Sequence, residues 1–141
     1  MKNDVTVRTI EDMDVDAVVT LWGDAGLLRP WNDPQHDIAF ARRNANSTVL
    51  VGTEGLEIVA TAMIGHDGHR GWLYYVASAP LRRGQGIGRL IVEAAEHWLA
   101  DRGVWKVQLL VRSGNHPVEA FYEKLGYADT QSKCFQKVLS S

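Results

Sequence analysis

Apolar residues in this chain recur at two spacings, one helical and one strand-like. Val18, Leu21, Trp22 and Ala25 fall at i, i+3, i+4 and i+7, which predicts a helix with one buried face. A short strand over residues 5–9 precedes it, and Asp12 or Asp14 can supply its cap. Residues 27–34 carry two prolines and form a stiff loop, in which Asp33 before Pro34 predicts a cap and a first-turn proline. The helix opened there runs to about Asn44. Residues 48–53 and 56–64 read as strands joined at Glu54-Gly55, a two-residue gap with the glycine of a hairpin. Leu56, Ile58, Ala60, Ala62 and Ile64 alternate, so one face of the second of these strands should be buried. A polar turn over 65–71 leads to a fourth strand at 72–78. A long helix then runs to about Arg102, with Ile87, Leu90, Ile91, Ala94 and Trp98 as its inner stripe and Gly103 as its stop. Trp105, Val107, Leu109 and Val111 predict the inward face of a fifth strand. Pro117 can start a last helix with Val118, Phe121, Tyr122 and Leu125 on one side and Gly126 at its end. A terminal strand over 133–139 would complete the chain.

The order β-α-α-β-β-β-α-β-α-β predicts an α+β fold: a mixed, largely antiparallel central sheet flanked by helices, in one domain over residues 1–141. Composition changes this picture little. The 141 residues are 45% hydrophobic and 23% charged, ordinary for a globular chain. A formal charge of -2 gives no reason to expect a nucleic-acid partner. No apolar run approaches the roughly 20 residues of a membrane span. The start, Met1-Lys2-Asn3-Asp4-Val5, lacks the apolar stretch of a signal peptide, so a cytoplasmic location is expected. The single cysteine, Cys134, excludes an internal disulfide and lies in an alternating segment, where it reads as a packing residue. His36, His97 and His116 are too scattered to suggest a metal site.

The segment Arg82-Arg83-Gly84-Gln85-Gly86-Ile87-Gly88-Arg89 carries the most chemistry. Three glycines in five residues let a backbone approach a ligand closely, and the helix that follows offers unpaired N–H groups at its positive end. Together they suit a phosphate or pyrophosphate, and three arginines add charge-assisted donors. The segment lacks the Gly-Lys-Ser/Thr end of a P-loop. It also misses the dinucleotide fingerprint, because the third glycine of that pattern falls at Arg89.

Arg83-x-x-Gly86-x-Gly88 resembles the Arg/Gln-x-x-Gly-x-Gly/Ala motif of the GNAT superfamily of acetyl-CoA-dependent N-acetyltransferases. Two further segments agree at matching separations. Val76-Ala77-Ser78 precedes Pro80 as the family's fourth-strand tripeptide precedes a proline. Asn115, Tyr122 and Gly126-Tyr127 match Asn-x6-Tyr-x3-Gly-Phe/Tyr. The element order agrees over the whole chain. The Leu-Arg-Pro-Trp-Asn-Asp-Pro loop and the Asp67–Gly71 turn look like a bacterial subgroup whose acceptor is unassigned.

The resemblance implies that acetyl-CoA, the acetyl donor, lies in a splay between the fourth and fifth strands, with backbone groups of Val76, Ala77 and Ser78 along its pantetheine arm. Arg83, Gly84, Gln85, Gly86, Ile87, Gly88 and Arg89 would hold the pyrophosphate, and Asn115 would anchor the arm near its reactive end. With Pro117 first in its helix, the cap there is expected to be His116 and not Asn115. Tyr122 would be catalytic, protonating the departing sulfur, although its spacing alone also suits a packed core stripe. Some relatives use a glutamate base on the fourth or fifth strand, whereas Tyr74 and Leu110 occupy those positions here. His66, Asp67 and His69 are the remaining candidate bases, beside water or an amine that arrives neutral. Arg29 can hold an acceptor carboxylate, and Trp31 can wall the acceptor site or pack against a partner subunit in a homodimer. Two other classes stay open: a non-catalytic acyl-CoA-binding module and a nucleotide-phosphate enzyme.

Overall fold

The computed structural model describes residues 4–140; the expectation at Met1–Asn3, part of the stretch read as lacking a signal, lies outside them. The chain divides after Leu110 into two compact units. In the first, a sheet is built in the order β1 (Thr6–Thr9), β2 (Ser47–Glu54), β3 (Glu57–His66), β4 (Gly71–Ser78) and β5 (Val107–Leu109). The first four strands pair antiparallel, and β4 pairs with β5 in parallel. Three helices belong to this unit: α1 (Val15–Asp24), α2 (Pro34–Ala41) and α3 (Ile87–Asp101).

A 3₁₀ turn at Asp12–Asp14 leads into α1. Asp14 is buried and accepts two bonds from the Arg8 guanidinium at 2.6 and 3.0 Å and one from the Glu11 amide at 2.7 Å. The hydrogen bond from Arg8 holds the Asp14 carboxyl below its ordinary value. The stabilisation is therefore complete above pH 3.8 and is lost as acid carries the group through its lower folded value. Asp14→Ala should destabilise the fold by about 2–3 kcal/mol, because it strands a half-buried guanidinium and an amide. Urea denaturation with an unchanged m-value would show this as a lower midpoint; an unmoved midpoint would assign the junction's stability to packing alone.

One face of the sheet carries α1 and α2. Val18, Leu21 and Trp22 of α1 and Ile38 and Ala41 of α2 pack with Val49, Val51 and Ala77. As expected, Asp33 caps α2, its carboxylate accepting from the His36 amide at 3.1 Å, with Pro34 in the first turn. The helix ends at Ala41, not near Asn44, because Arg43 to Asn46 turn sharply into β2. The other face carries α3. Strand β3 is buried on both faces: Ala60, Ala62 and Ile64 on one side, Val59 and Thr61 also fully enclosed. The alternating pattern had implied a single buried face; Thr61 is polar yet enclosed because it bonds Trp22. Leu56 is wholly exposed, since the hairpin turn is Gly55-Leu56.

The buried stripe of α3 is Ile87, Ile91, Val92, Ala95 and Leu99. Ile87 and Ile91 of the expected stripe are buried as expected, whereas its other members Leu90, Ala94 and Trp98 are only half-buried. Two apolar rows run along this helix about 100° apart, and the sheet takes the one whose branched side chains fit its surface. Trp98 instead lies under the Arg102 guanidinium, 3.5 Å from the ring centre. Strand β5 is also shorter than expected. Trp105 is 78% exposed, with Arg70 and Lys106 against its ring, and is not an inward residue. Among the described residues, no helix is long and apolar enough to cross a membrane.

The second unit contains α4 (His116–Lys124). Its cap is Asn115, whose side chain accepts from the Val118 amide at 3.4 Å, with Pro117 in the first turn. The helix therefore starts one residue earlier than expected, and His116 is not the cap. Gly126, at φ 97°, ends it, and the Tyr127 amide donates to the Tyr122 carbonyl at 3.0 Å. The expected strand at 133–139 does not form. Residues 128–140 are exposed and join no sheet ladder among the described residues, and alternation alone does not make a strand without a ladder to join.

Candidate active site

Strand β4 is the organising element. Its pairing with β5 runs from Gly71↔Val107 to Leu73↔Leu109 and stops there. From Tyr75 to Ser78 the β5-side edge of β4 joins no ladder among the described residues. Backbone groups alternate along a strand. The Ala79 amide donates to Val59 of β3 at 2.8 Å, so Ala77 also faces β3, and the Val76 and Ser78 amides face the open edge.

A bulge sets that phase. Thr61 pairs with Ala77 and Met63 with Tyr74, so Ala62 alone opposes Tyr75 and Val76. Tyr75 adopts φ 50°. Burial and its bond to Asp37 raise its phenol above the ordinary tyrosine range, so it serves as a donor, not a base.

Beyond Ser78, a 3₁₀ turn at Pro80–Arg82 delivers the chain to the glycines. Gly84 and Gly86 adopt φ 81° and 77°, and a Cβ on either would meet nothing within 4 Å. Glycine is therefore required by backbone angle, while the space above the turn stays open. Gly86 caps α3, and the first-turn amides of Ile87, Gly88 and Arg89 have no acceptor within the helix. The three arginines differ. Arg82 is committed to the fold: it grips Glu54 with bonds of 2.7 and 2.9 Å and donates to Gln85 at 2.9 Å. Arg89 lies 3.4 Å from Glu93. The Arg83 guanidinium is exposed and has no partner among the described residues.

In the second unit, Tyr122 is the buried residue of α4, with Phe121 and Tyr127 packed edge-on to its ring at 4.9 and 5.6 Å between centres. Burial pushes its phenol up to about 12.

The other anticipated residues are placed elsewhere or are engaged. His66, Asp67 and His69 lie at the Gly71 end of β4, about 16 Å along the strand from Val76. The Asp67 carboxylate accepts from the His69 and Arg70 amides and from the Trp72 indole, and those bonds hold it below its ordinary value. It closes the turn. Arg29 donates to the carbonyls of Gly26 and Leu28 at the end of α1. Trp31 is 68% exposed. Tyr74 and Leu110 are exposed side chains without a carboxylate. No group of three His, Cys, Asp or Glu side chains that could hold a metal occurs among the described residues. Sequence reasoning missed Tyr75, Thr61, Asp37 and Glu54. Nothing in their spacing signals a role, because each acts through a contact between distant segments.

An open strand edge leading into a glycine turn at a helix N-terminus suits a ligand with an amide-bearing arm and phosphates, and comparison with known proteins gives the class. The chain belongs to the acetyltransferase (GNAT) family, whose profile matches residues 15–127. An acetyltransferase of Pectobacterium atrosepticum is 42% identical over 121 residues, 86% of each chain. The crystal structure of the ribosomal-protein-S18-alanine N-acetyltransferase from Escherichia coli superposes with a TM-score of 0.74 at 26% identity, covering 86% of this chain and 76% of that one. An aminoglycoside N-acetyltransferase in complex with CoA superposes with a TM-score of 0.83 over 99% of this chain and 98% of its own. At 11% identity, that likeness speaks for the fold alone.

Proposed function

We propose that this acetyltransferase takes its acetyl group from acetyl-CoA and transfers it to a primary amine by direct attack, with Tyr122 as the proton donor. The observation that carries the donor assignment is the unpaired edge of β4, whose Val76 and Ser78 amides lead into the Gly84–Gly86 turn. The groups present suit the donor. A pantetheine arm offers amides that can pair with a strand edge, and a pyrophosphate suits open glycines beside helix-start amides and the unpaired Arg83.

Val76 and Ser78 would hold the arm and orient it, and an edge-facing amide would polarise the acyl carbonyl. Gly84 to Arg89 would bind the phosphates. Bound acetyl-CoA supplies an acyl thioester, whose carbon is open to the lone pair of a neutral amine. Tyr122 would hold a proton at Oη for the sulfur. Its role rests on the family motif and on its own burial, which keeps the phenol protonated at working pH. Asn115 is engaged as a helix cap, so its part is to fix the start of α4, and any contact with the cofactor arm would use its remaining valences.

Thermal unfolding with acetyl-CoA tests the reading. At about 100 times its dissociation constant a ligand adds roughly 2.7 kcal/mol, a shift of several degrees for a chain of this size. A shift with acetyl-CoA and none with ATP or NADP is expected. The reverse pattern would replace the reading with a nucleotide-phosphate enzyme. Binding without acetyl transfer to any amine would leave a non-catalytic acyl-CoA module.

A further inference from the structure

Tyr75 holds a backbone conformation that an aromatic residue adopts only under compulsion, at φ 50° within the bulge of β4. Such a residue persists where its surroundings over-determine it, and here three partners do so. The Thr61 hydroxyl donates to the Tyr75 carbonyl at 2.9 Å and accepts from the Trp22 indole at 2.7 Å. The Trp22 ring stacks on the Tyr75 ring, with centres 3.8 Å apart and planes 7° apart. The Tyr75 phenol donates to Asp37 of α2 at 2.8 Å. One residue is thus pinned at its main chain by β3, on its ring face by α1 and at its tip by α2.

The bulge places two β4 residues against one of β3, and amide direction has a period of two. Removing the extra residue's displacement would turn the Val76 and Ser78 amides toward β3 and present Ala77 at the open edge instead. We infer that Thr61, Trp22 and Asp37 are positioning residues that act through Tyr75 to fix the bulge and so aim the Val76 and Ser78 amides at the cofactor edge. This rests on the acetyl-CoA reading above. It extends that reading by assigning part of donor binding to residues on β3, α1 and α2 that do not themselves lie on the open edge.

Thr61→Val keeps the side chain's shape and removes the hydroxyl, while Thr61→Ser keeps the hydroxyl. The readouts are acetyl-CoA affinity by calorimetry and the amide NMR shifts of Val76 and Ser78 in ligand-free protein. Thr61→Val should weaken affinity about tenfold and move both amides, and Thr61→Ser should stay within about twofold of the parent. Asp37→Asn, on a half-exposed position, should give a smaller loss of about threefold and serves if Thr61→Val does not fold. Unmoved amides and unchanged affinity in a folded variant would overturn the inference. So would an equal loss in Thr61→Ser, which would assign the effect to packing. A parent protein that does not bind acetyl-CoA would defeat the functional reading and this inference with it, whereas unmoved amides in a protein that binds would defeat the inference alone.

Discussion

Tyr122→Phe should lower turnover by a factor on the order of 10² to 10⁴ and leave acetyl-CoA affinity within about twofold. The substitution removes one oxygen and keeps the ring that packs against Phe121 and Tyr127, so the fold has no reason to fail. On the proposed reading, what it removes is the proton held at Oη for the sulfur. A leaving thiolate can depart without that proton, but with a higher barrier, which is why the expected loss is in turnover and not in binding. The pH profile adds a sign. Burial raises the phenol from 10.0 to about 12, so the donor stays protonated through the neutral and mildly alkaline range. No falling limb from this group should appear until pH approaches the raised value. Steady-state rates at saturating acetyl-CoA, with calorimetry in parallel, check both parts. Unchanged turnover in a folded variant would return Tyr122 to the hydrophobic stripe its spacing also allows.

Much of the first unit was legible because its signals are local. Asp33-Pro34 states a helix start in two residues, and the structure has the cap and the proline where that pair put them. The glycine turn was legible for the same reason: Gly84 and Gly86 take the positive φ that no other residue type takes so readily. Errors arose where two local readings compete and packing chooses. Either apolar row of α3 satisfies helical spacing, and only the sheet decides that Leu99 is buried while Trp98 takes the flank. Asn115 and His116 both suit a helix start, and the cap went to the residue with the short side-chain acceptor. The segment at 133–139 alternates like a strand but has no paired neighbour among the described residues. The bulge at Tyr75 was illegible altogether. Tyrosine carries no preference for a positive φ, and the contacts that hold it come from residues 14, 38 and 53 positions earlier.

Gly86→Val should weaken acetyl-CoA affinity by roughly 10- to 100-fold while turnover at saturating acetyl-CoA stays within about twofold. Two effects act in the same direction. At φ 77° a β-branched side chain is strained wherever it points, at a cost of about 1–2 kcal/mol that falls on the start of α3. The new methyls also enter the open space above the turn, where nothing lies within 4 Å of the added Cβ and where a phosphate would need to approach the amides of Ile87, Gly88 and Arg89. Tyr122 is unchanged in this variant, so on the proposed reading the acyl-transfer step should survive once donor is forced on. The expected pattern is a raised KM for acetyl-CoA with kcat preserved, opposite to that of Tyr122→Phe. The two variants together separate binding from proton transfer. If Gly86→Val retained full affinity in a folded protein, the glycine turn would be a tight connection between strand and helix, and the phosphates would have to be held elsewhere.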